Sequence, residues 1–179
     1  MITSQRLLLR SWRERDRAAY HAIKSDPRVM ATLGRIQSRA ESDAAVDRLI
    51  AREVLHGHTF WAMERRSDGI LLGYCGFLVG TDDFPIAGEL ELGWGLASAH
   101  WGQGYAREAA EAALAWAWAH TDRKRVVAIT TPGNARSWGL MERLAMTRVL
   151  DGDFDHPGLA EGDPLRRHLT YRIERPRGV

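Results

Sequence analysis

The chain has 179 residues, 45% of them hydrophobic and 27% charged, which suits one soluble globular domain with a core of its own. A net charge of +2 points to neither nucleic acid nor a membrane surface, and the pI near 9.0 reflects scattered arginines, since Lys24 and Lys124 are the only lysines. Cys75 is the only cysteine, which excludes an internal disulfide and a cysteine metal cluster and suits a reducing cytosol; no metal is expected.

Met1 to Arg10 alternates charged and apolar residues and lacks the apolar core of a signal peptide. The most apolar run, Ala112 to Ala119, is too short to span a bilayer, so the chain is expected to be cytoplasmic. Arg6 to Arg10 reads as a first strand. Asp16 is placed to cap a helix carrying Ala19, Tyr20 and Ile23, stopped by Asp26-Pro27. Ser42-Asp43 opens a second helix with Val46, Leu49, Ile50 and Val54 on its apolar face, ending near Gly57. Thr59 to Glu64 and Ile70 to Val79 read as strands joined by a Ser67-Asp68-Gly69 turn. A polar connection, Thr81 to Gly88, leads into a strand from Glu89 to Leu96. Tyr105 to His120 is an Ala-rich helix, and Val126 to Thr130 a buried-type strand. Asn134 caps a helix with Leu140, Met141 and Leu144, and Thr147 to Leu150 and Leu169 to Ile173 read as closing strands. With no repeat and no linker, the order predicts one domain over 1–179: mixed α/β around a single sheet.

Trp101-Gly102-Gln103-Gly104-Tyr105-Ala106-Arg107-Glu108 joins the strand at Glu89 to Leu96 to the long helix. A glycine loop at a helix start bares backbone N–H groups that no helical carbonyl can meet, and the helix dipole makes them a phosphate site. The dinucleotide fingerprint fails, because its third glycine would fall at Arg107 and Lys124 stands near the acidic position. A triphosphate loop fails for want of a lysine. Taken alone, the loop also reads as an ordinary tight turn.

The element order around this loop resembles the GCN5-related N-acetyltransferase superfamily, in particular its branch of ribosomal-protein N-terminal acetyltransferases. Thr3-x-x-Arg6-Leu7-x-Leu9-Arg10 resembles the branch's opening strand, and Asp26-Pro27-x-Val29-Met30 its first helix end. Glu91-Leu92-Gly93-Trp94-x-Leu96 with the loop from Trp101 to Ala109 resembles its cofactor core, and Asn134-x-x-Ser137 the start of its next helix. The resemblance implies a mixed, mostly antiparallel sheet with helices on both faces, and acetyl-CoA as cosubstrate. It implies a pyrophosphate held by the amides of Gly102, Gln103, Gly104, Tyr105 and Ala106, and contact of Asn134 with the pantetheine arm. The sequence departs from the family where Trp101 replaces the usual Gln or Arg, where Ala145-Met146 replaces Gly-Phe, and where Met141 stands at the usual tyrosine acid.

Transfer of an acetyl group to an amine needs a proton acceptor and donors for the oxyanion. Trp94, Gly95 and Leu96 are the candidates for such donors along the family's splayed strand. Glu91 is the first candidate base and reads equally well as a solvated or salt-bridged strand carboxylate; Glu89 shares its face. His100 is a weaker candidate. Ser137 is placed to protonate or orient the sulfur, or simply to bond local backbone. Arg107, Arg136 and Arg143 could meet phosphates by charge, or face water. Trp12, Trp61 and Trp94 read as acceptor-cleft walls or as core, and Asp82-Asp83 as an attractor for a cationic amine or a solvated pair. Cys75, in an apolar strand, reads as core. The expected function is direct acetyl transfer to a peptide N-terminus or a small-molecule amine; the alternative is a non-catalytic acyl-CoA-binding or regulatory module. Edge strands near the C-terminus leave a homodimer open.

Overall fold

A computed structural model describes residues 1–82 and 84–178. Eight strands form one sheet in the order β1-β2-β3-β4-β5-β6-β8-β7, comprising β1 (Ile2–Thr3), β2 (Leu7–Arg10), β3 (Phe60–Arg65), β4 (Leu71–Val79), β5 (Leu90–Leu96), β6 (Arg125–Thr130), β7 (Thr147–Asp155) and β8 (Arg167–Glu174). Every neighbouring pair is antiparallel except β5–β6. The sheet is therefore mixed and mostly antiparallel, as the resemblance implied. The helices are α1 (Arg17–Ser25), α2 (Pro27–Met30), α3 (Arg39–His56), α4 (Tyr105–His120) and α5 (Ala135–Arg143). Among the described residues no helix is long and apolar enough to cross a membrane.

Strand alternation divides the core. Leu90, Leu92 and Leu96 point with Cys75 and Phe77 toward α4, packing on Ala109, Ala110, Ala113 and Ala117. The small alanines let the helix lie close to the sheet. On the opposite face, Tyr74 and Ala62 pack on Tyr20 and Trp12 and on Ala45, Val46 and Leu49 of α3. Glu91, Gly93 and Gly95 belong to that second face, opposite Leu78, Gly76 and Tyr74 in the register.

Several local expectations are revised. Asp16 precedes α1 but makes no side-chain cap; its carboxylate instead receives both Arg10 guanidinium nitrogens, at 2.7 and 2.9 Å. α3 starts earlier than Ser42, at a capping box in which the Ser38 hydroxyl accepts from the Glu41 N–H and the Glu41 carboxylate from the Ser38 N–H. Ser42 is buried within it, and Val54, counted with the apolar face, is 84% exposed. A second short helix follows Asp26, and the closing hairpin runs several residues further than expected on both strands. The connection after Thr81 is less polar than its composition: Phe84 and Ile86 pack with Phe154 and Val127. Asp83, of the Asp82-Asp83 pair, lies outside the described residues.

Candidate active site

β5 and β6 share one paired position, Glu91 with Val127, after which they diverge. Two parallel strands that part, each followed by a helix, leave a crevice flanked by two helix N-termini. The donors that line it follow from the register. The Ala97 N–H reaches the Leu72 carbonyl of β4 at 2.9 Å. By the two-residue period, the Gly95 N–H also faces β4, so the open amides on the crevice side are those of Trp94 and Leu96. Trp94 is partly buried on the α4 face.

The loop is held at both ends. Trp101 packs against Ile23, Val29 and Met30, and its indole N–H donates to the Leu96 carbonyl at 3.1 Å, tying the loop to the end of β5. Gly102 and Gly104 have φ of +74° and +80°, a left-handed conformation that bulkier side chains resist. From the other side, the Arg6 guanidinium donates to the Gln103 carbonyl at 3.0 Å and to Glu108 at 2.6 Å, and lies over the Tyr105 ring at 4.5 Å. Glu108 also accepts from the Ser4 hydroxyl and the Arg6 N–H. Burial pulls its carboxyl upward, but the Ser4 and Arg6 donors outweigh it and hold it below the ordinary value. The Glu108 N–H makes the bond to the Gly104 carbonyl, at 3.1 Å, so the amides of Tyr105, Ala106 and Arg107 precede the first helical donor and have no helical acceptor. An anionic ligand fits this loop: it has open amides and no Cβ at Gly102 or Gly104.

Across the crevice, Asn134 caps α5, its amide oxygen accepting from the Ser137 N–H at 3.3 Å. Among the described residues no hydrogen bond reaches the Ser137 hydroxyl. Arg136 lies 4.6 Å over the Trp101 ring, which brings the α5 N-terminus to the loop. Arg107 instead pairs with Glu111 on the exposed side of α4. Met141 is 1% exposed and packed in the core.

Glu91 stands on the α1/α3 face, its carboxylate free of hydrogen bonds and ion pairs among the described residues. Burial raises its pKa to about 7, with Arg52 of α3 pulling the other way. Glu89, by contrast, is engaged by Arg125. The strand beyond Glu91 has no room for side chains on that face: a Cβ on Gly93 would lie 2.5 Å from the Phe60 ring, and one on Gly95 2.5 Å from the Tyr74 hydroxyl. His100 sits in the turn before the loop. Trp12 and Trp61 are core residues, their N–H groups donating to the Phe60 carbonyl and to Glu53. Cys75 is fully buried, and burial pushes its thiol far up. Arg6 and Trp101 both stand in motifs that the resemblance rests on, but their roles in holding the loop carried no signal in the sequence, because their partners are set by the fold.

The sequence profile of the acetyltransferase (GNAT) domain matches residues 6–147. The Bacillus subtilis (strain 168) protein YkkB is 28% identical over 146 residues, spanning 81% of this chain and 84% of that one. The crystal structure of an acetyltransferase from Agrobacterium tumefaciens str. C58 superposes with a TM-score of 0.78 at 28% identity, covering 97% of this chain and 93% of the other. RimL, a ribosomal L7/L12 alpha-N-protein acetyltransferase solved with coenzyme A, shares the fold at a TM-score of 0.77 and 19% identity, over 96% and 95% of the two chains.

Proposed function

The chain belongs to the GNAT acetyltransferase family and is an acetyl-CoA-dependent acetyltransferase, and from that premise we propose that it acetylates a primary amine by direct attack, without a covalent enzyme intermediate. One observation supports this reading above the others: an unpaired, half-buried carboxylate, Glu91, with its pKa raised to about 7, on the glycine-floored face of the strand whose far edge opens the crevice. The acetyl-CoA supplies the activated thioester. The amides of Gly102, Gln103, Gly104, Tyr105, Ala106 and Arg107 hold its pyrophosphate by charge-assisted hydrogen bonds. Trp94 and Leu96 offer N–H donors along the crevice, with Tyr74 packed on Gly95 between them, and Asn134 flanks the opposite wall.

Glu91, directly or through water, takes one proton from the incoming ammonium, leaving a nitrogen lone pair to form the new C–N bond. The crevice amides of Trp94 and Leu96 steady the negative charge that develops on the carbonyl oxygen. When the C–S bond breaks, its electron pair leaves with sulfur. Ser137, at the crevice rim with a free hydroxyl, passes the second amine proton to that thiolate. The products are the N-acetyl amide, coenzyme A as the free thiol and one proton released to solvent. The acceptor is a peptide N-terminus or a small-molecule amine.

Titration calorimetry with acetyl-CoA, followed by thiol release across an amine panel, tests the proposal. Saturable binding with amine-dependent release is expected. Binding without release from any amine would replace it by the acyl-CoA-binding module, which the burial of Met141 at the usual acid position favours. The loop has its own test. Gly104→Val forces a β-branched residue to φ +80°, an outlying conformation costing about 1–2 kcal/mol. In the free protein the loop can relax out of that conformation, whereas the bound pyrophosphate requires it, so affinity for acetyl-CoA should fall roughly tenfold, read by calorimetry, with the melting temperature little changed.

A further inference from the structure

Beside the glycine-floored face lies a recess of about 390 Å³ between α1 and the first half of α3. Its polar lining comes from Lys24, Arg35, Gln37, Glu41 and Arg48. The charges do not balance. Arg35 is neutralised by Glu41. Lys24 and Arg48 have no carboxylate in ion-pair reach among the described residues, so the recess carries two uncompensated cations. Gln37 contributes a buried amide oxygen with no partner, while its backbone N–H is tied to the Lys24 carbonyl at 3.1 Å. Such an oxygen takes its partner from water or from a ligand in the recess.

The recess also communicates with the strand that bears Glu91. The Lys24 ammonium donates to the Tyr74 hydroxyl at 3.0 Å and lies 4.9 Å from the Tyr74 ring centre. Tyr74 is the cross-strand partner of Gly95, and its hydroxyl fills the space where a Gly95 side chain would begin. Tyr20, 5.9 Å from Tyr74, carries the field of Arg48 as well as that of Lys24. An anion held between Lys24 and Arg48 would therefore sit one aromatic side chain, that of Tyr74, away from the Gly95 backbone.

We infer that this recess is the acceptor's anion subsite, and that the enzyme takes an amine carrying a carboxylate or phosphate near its amino group rather than a polycation. The inference rests on the acetyl-transfer reading above. Arg48 supplies a planar fork and Lys24 a point charge, both suited to an oxyanion. The Gln37 oxygen meets an N–H or O–H of the same ligand. A polyamine would bring like charge against Lys24 and Arg48. The two cations have a second effect on an anionic acceptor: they favour the neutral form of its amine, which is the nucleophile.

The test uses the full chain saturated with coenzyme A, which cannot react, titrated calorimetrically with matched amines. The pairs are β-alanine against β-alaninamide and phosphoethanolamine against ethanolamine, with spermidine as the polycation. The member bearing a carboxylate or phosphate should bind about tenfold or more tightly than the partner that lacks it, as expected of a charge-assisted contact. Whether the carboxylate or the phosphate pair shows the larger ratio identifies the group. Arg48→Gln should collapse that ratio to about threefold or less, leaving affinity for coenzyme A unchanged; Lys24→Met, with the buried Tyr20–Tyr74 pair intact, should do the same. Equal binding within the pairs, tighter binding of spermidine, or an unchanged ratio in both variants overturns the inference. Thiol release from acetyl-CoA with the same amines is read separately. An anion preference in binding with no release overturns acetyl transfer and leaves the anion subsite standing, whereas release with spermidine alone overturns the subsite and leaves acetyl transfer standing.

Discussion

Glu91→Gln is expected to lower acetyl transfer at neutral pH by about 100- to 1,000-fold, the lower part of the range for a general base, while acetyl-CoA affinity stays within about twofold. The substitution keeps size and hydrogen-bonding reach and removes only the ability to take a proton. Its pH signature is specific. Burial raises the Glu91 pKa to about 7, and Arg52 opposes that rise. The group works as a base only when ionised, so in the unaltered enzyme kcat/KM for the amine should fall about tenfold per pH unit below that value and level off above it. In Glu91→Gln this acid limb should vanish. Arg52→Leu removes the one charge favouring the carboxylate, so the midpoint of the limb should move upward while the plateau at high pH holds. A rate and profile unchanged by Glu91→Gln would leave the carboxylate as a structural group of the strand.

The elements that read clearly from sequence are those whose signals are local. α4 occupies Tyr105 to His120, the span its glycine start and alanine content predict. Asn134 caps α5 as its position before an apolar pattern suggests. Errors arise where two local signals compete. Ser38-x-x-Glu41 is a capping box, yet Ser42-Asp43 offers the same chemistry four residues later, and only burial of the Ser42 hydroxyl against Ser38 and His21 settles which one serves. Asp151-Gly152-Asp153 has the composition of a loop, but Asp153 pairs with Arg148 and accepts from the Thr170 N–H, so the hairpin continues through a register shift. Val54 keeps helical spacing with the core residues of α3, but the last turn of the helix is exposed. Constellations assembled from distant segments leave no trace in one sequence. Arg6 meets Glu108 across 102 residues, and Lys24 meets Tyr74 across 50. The glycine loop names its ligand class because its donors are backbone. The anion recess stays illegible because its donors come from α1, α3 and the turn between α2 and α3.

Asp16→Ala is expected to destabilise the fold by about 3 kcal/mol, the lower end of the range for removing one partner of a buried ion pair. Arg10 and Asp16 are 1% and 3% exposed. Burial alone would raise the Asp16 carboxyl; the bidentate Arg10 contact and the Arg13 N–H outweigh it and hold it below its ordinary value. Glu64 also receives Arg10, at 2.6 Å, so the variant leaves the guanidinium half-paired rather than alone. With a urea slope of about 2 kcal/mol/M, the midpoint should drop by roughly 1.5 M. The pH dependence has a definite sign. A depressed carboxyl stabilises the folded state above its unfolded value, near 3.8, and that contribution disappears as pH falls through the lower folded value. The stability gap between wild type and variant should therefore be full at pH 7 and close under strong acid. The double replacement Arg10→Met with Asp16→Leu should recover part of the loss, because it removes both charges of the buried pair and leaves Glu64 with Arg15. If Asp16→Ala cost less than about 1 kcal/mol at neutral pH, Glu64 and water would suffice for Arg10, and the pair would not fix the start of α1. That start matters for function, since α1 carries both Tyr20 and Lys24 to the face where Tyr74 covers Gly95.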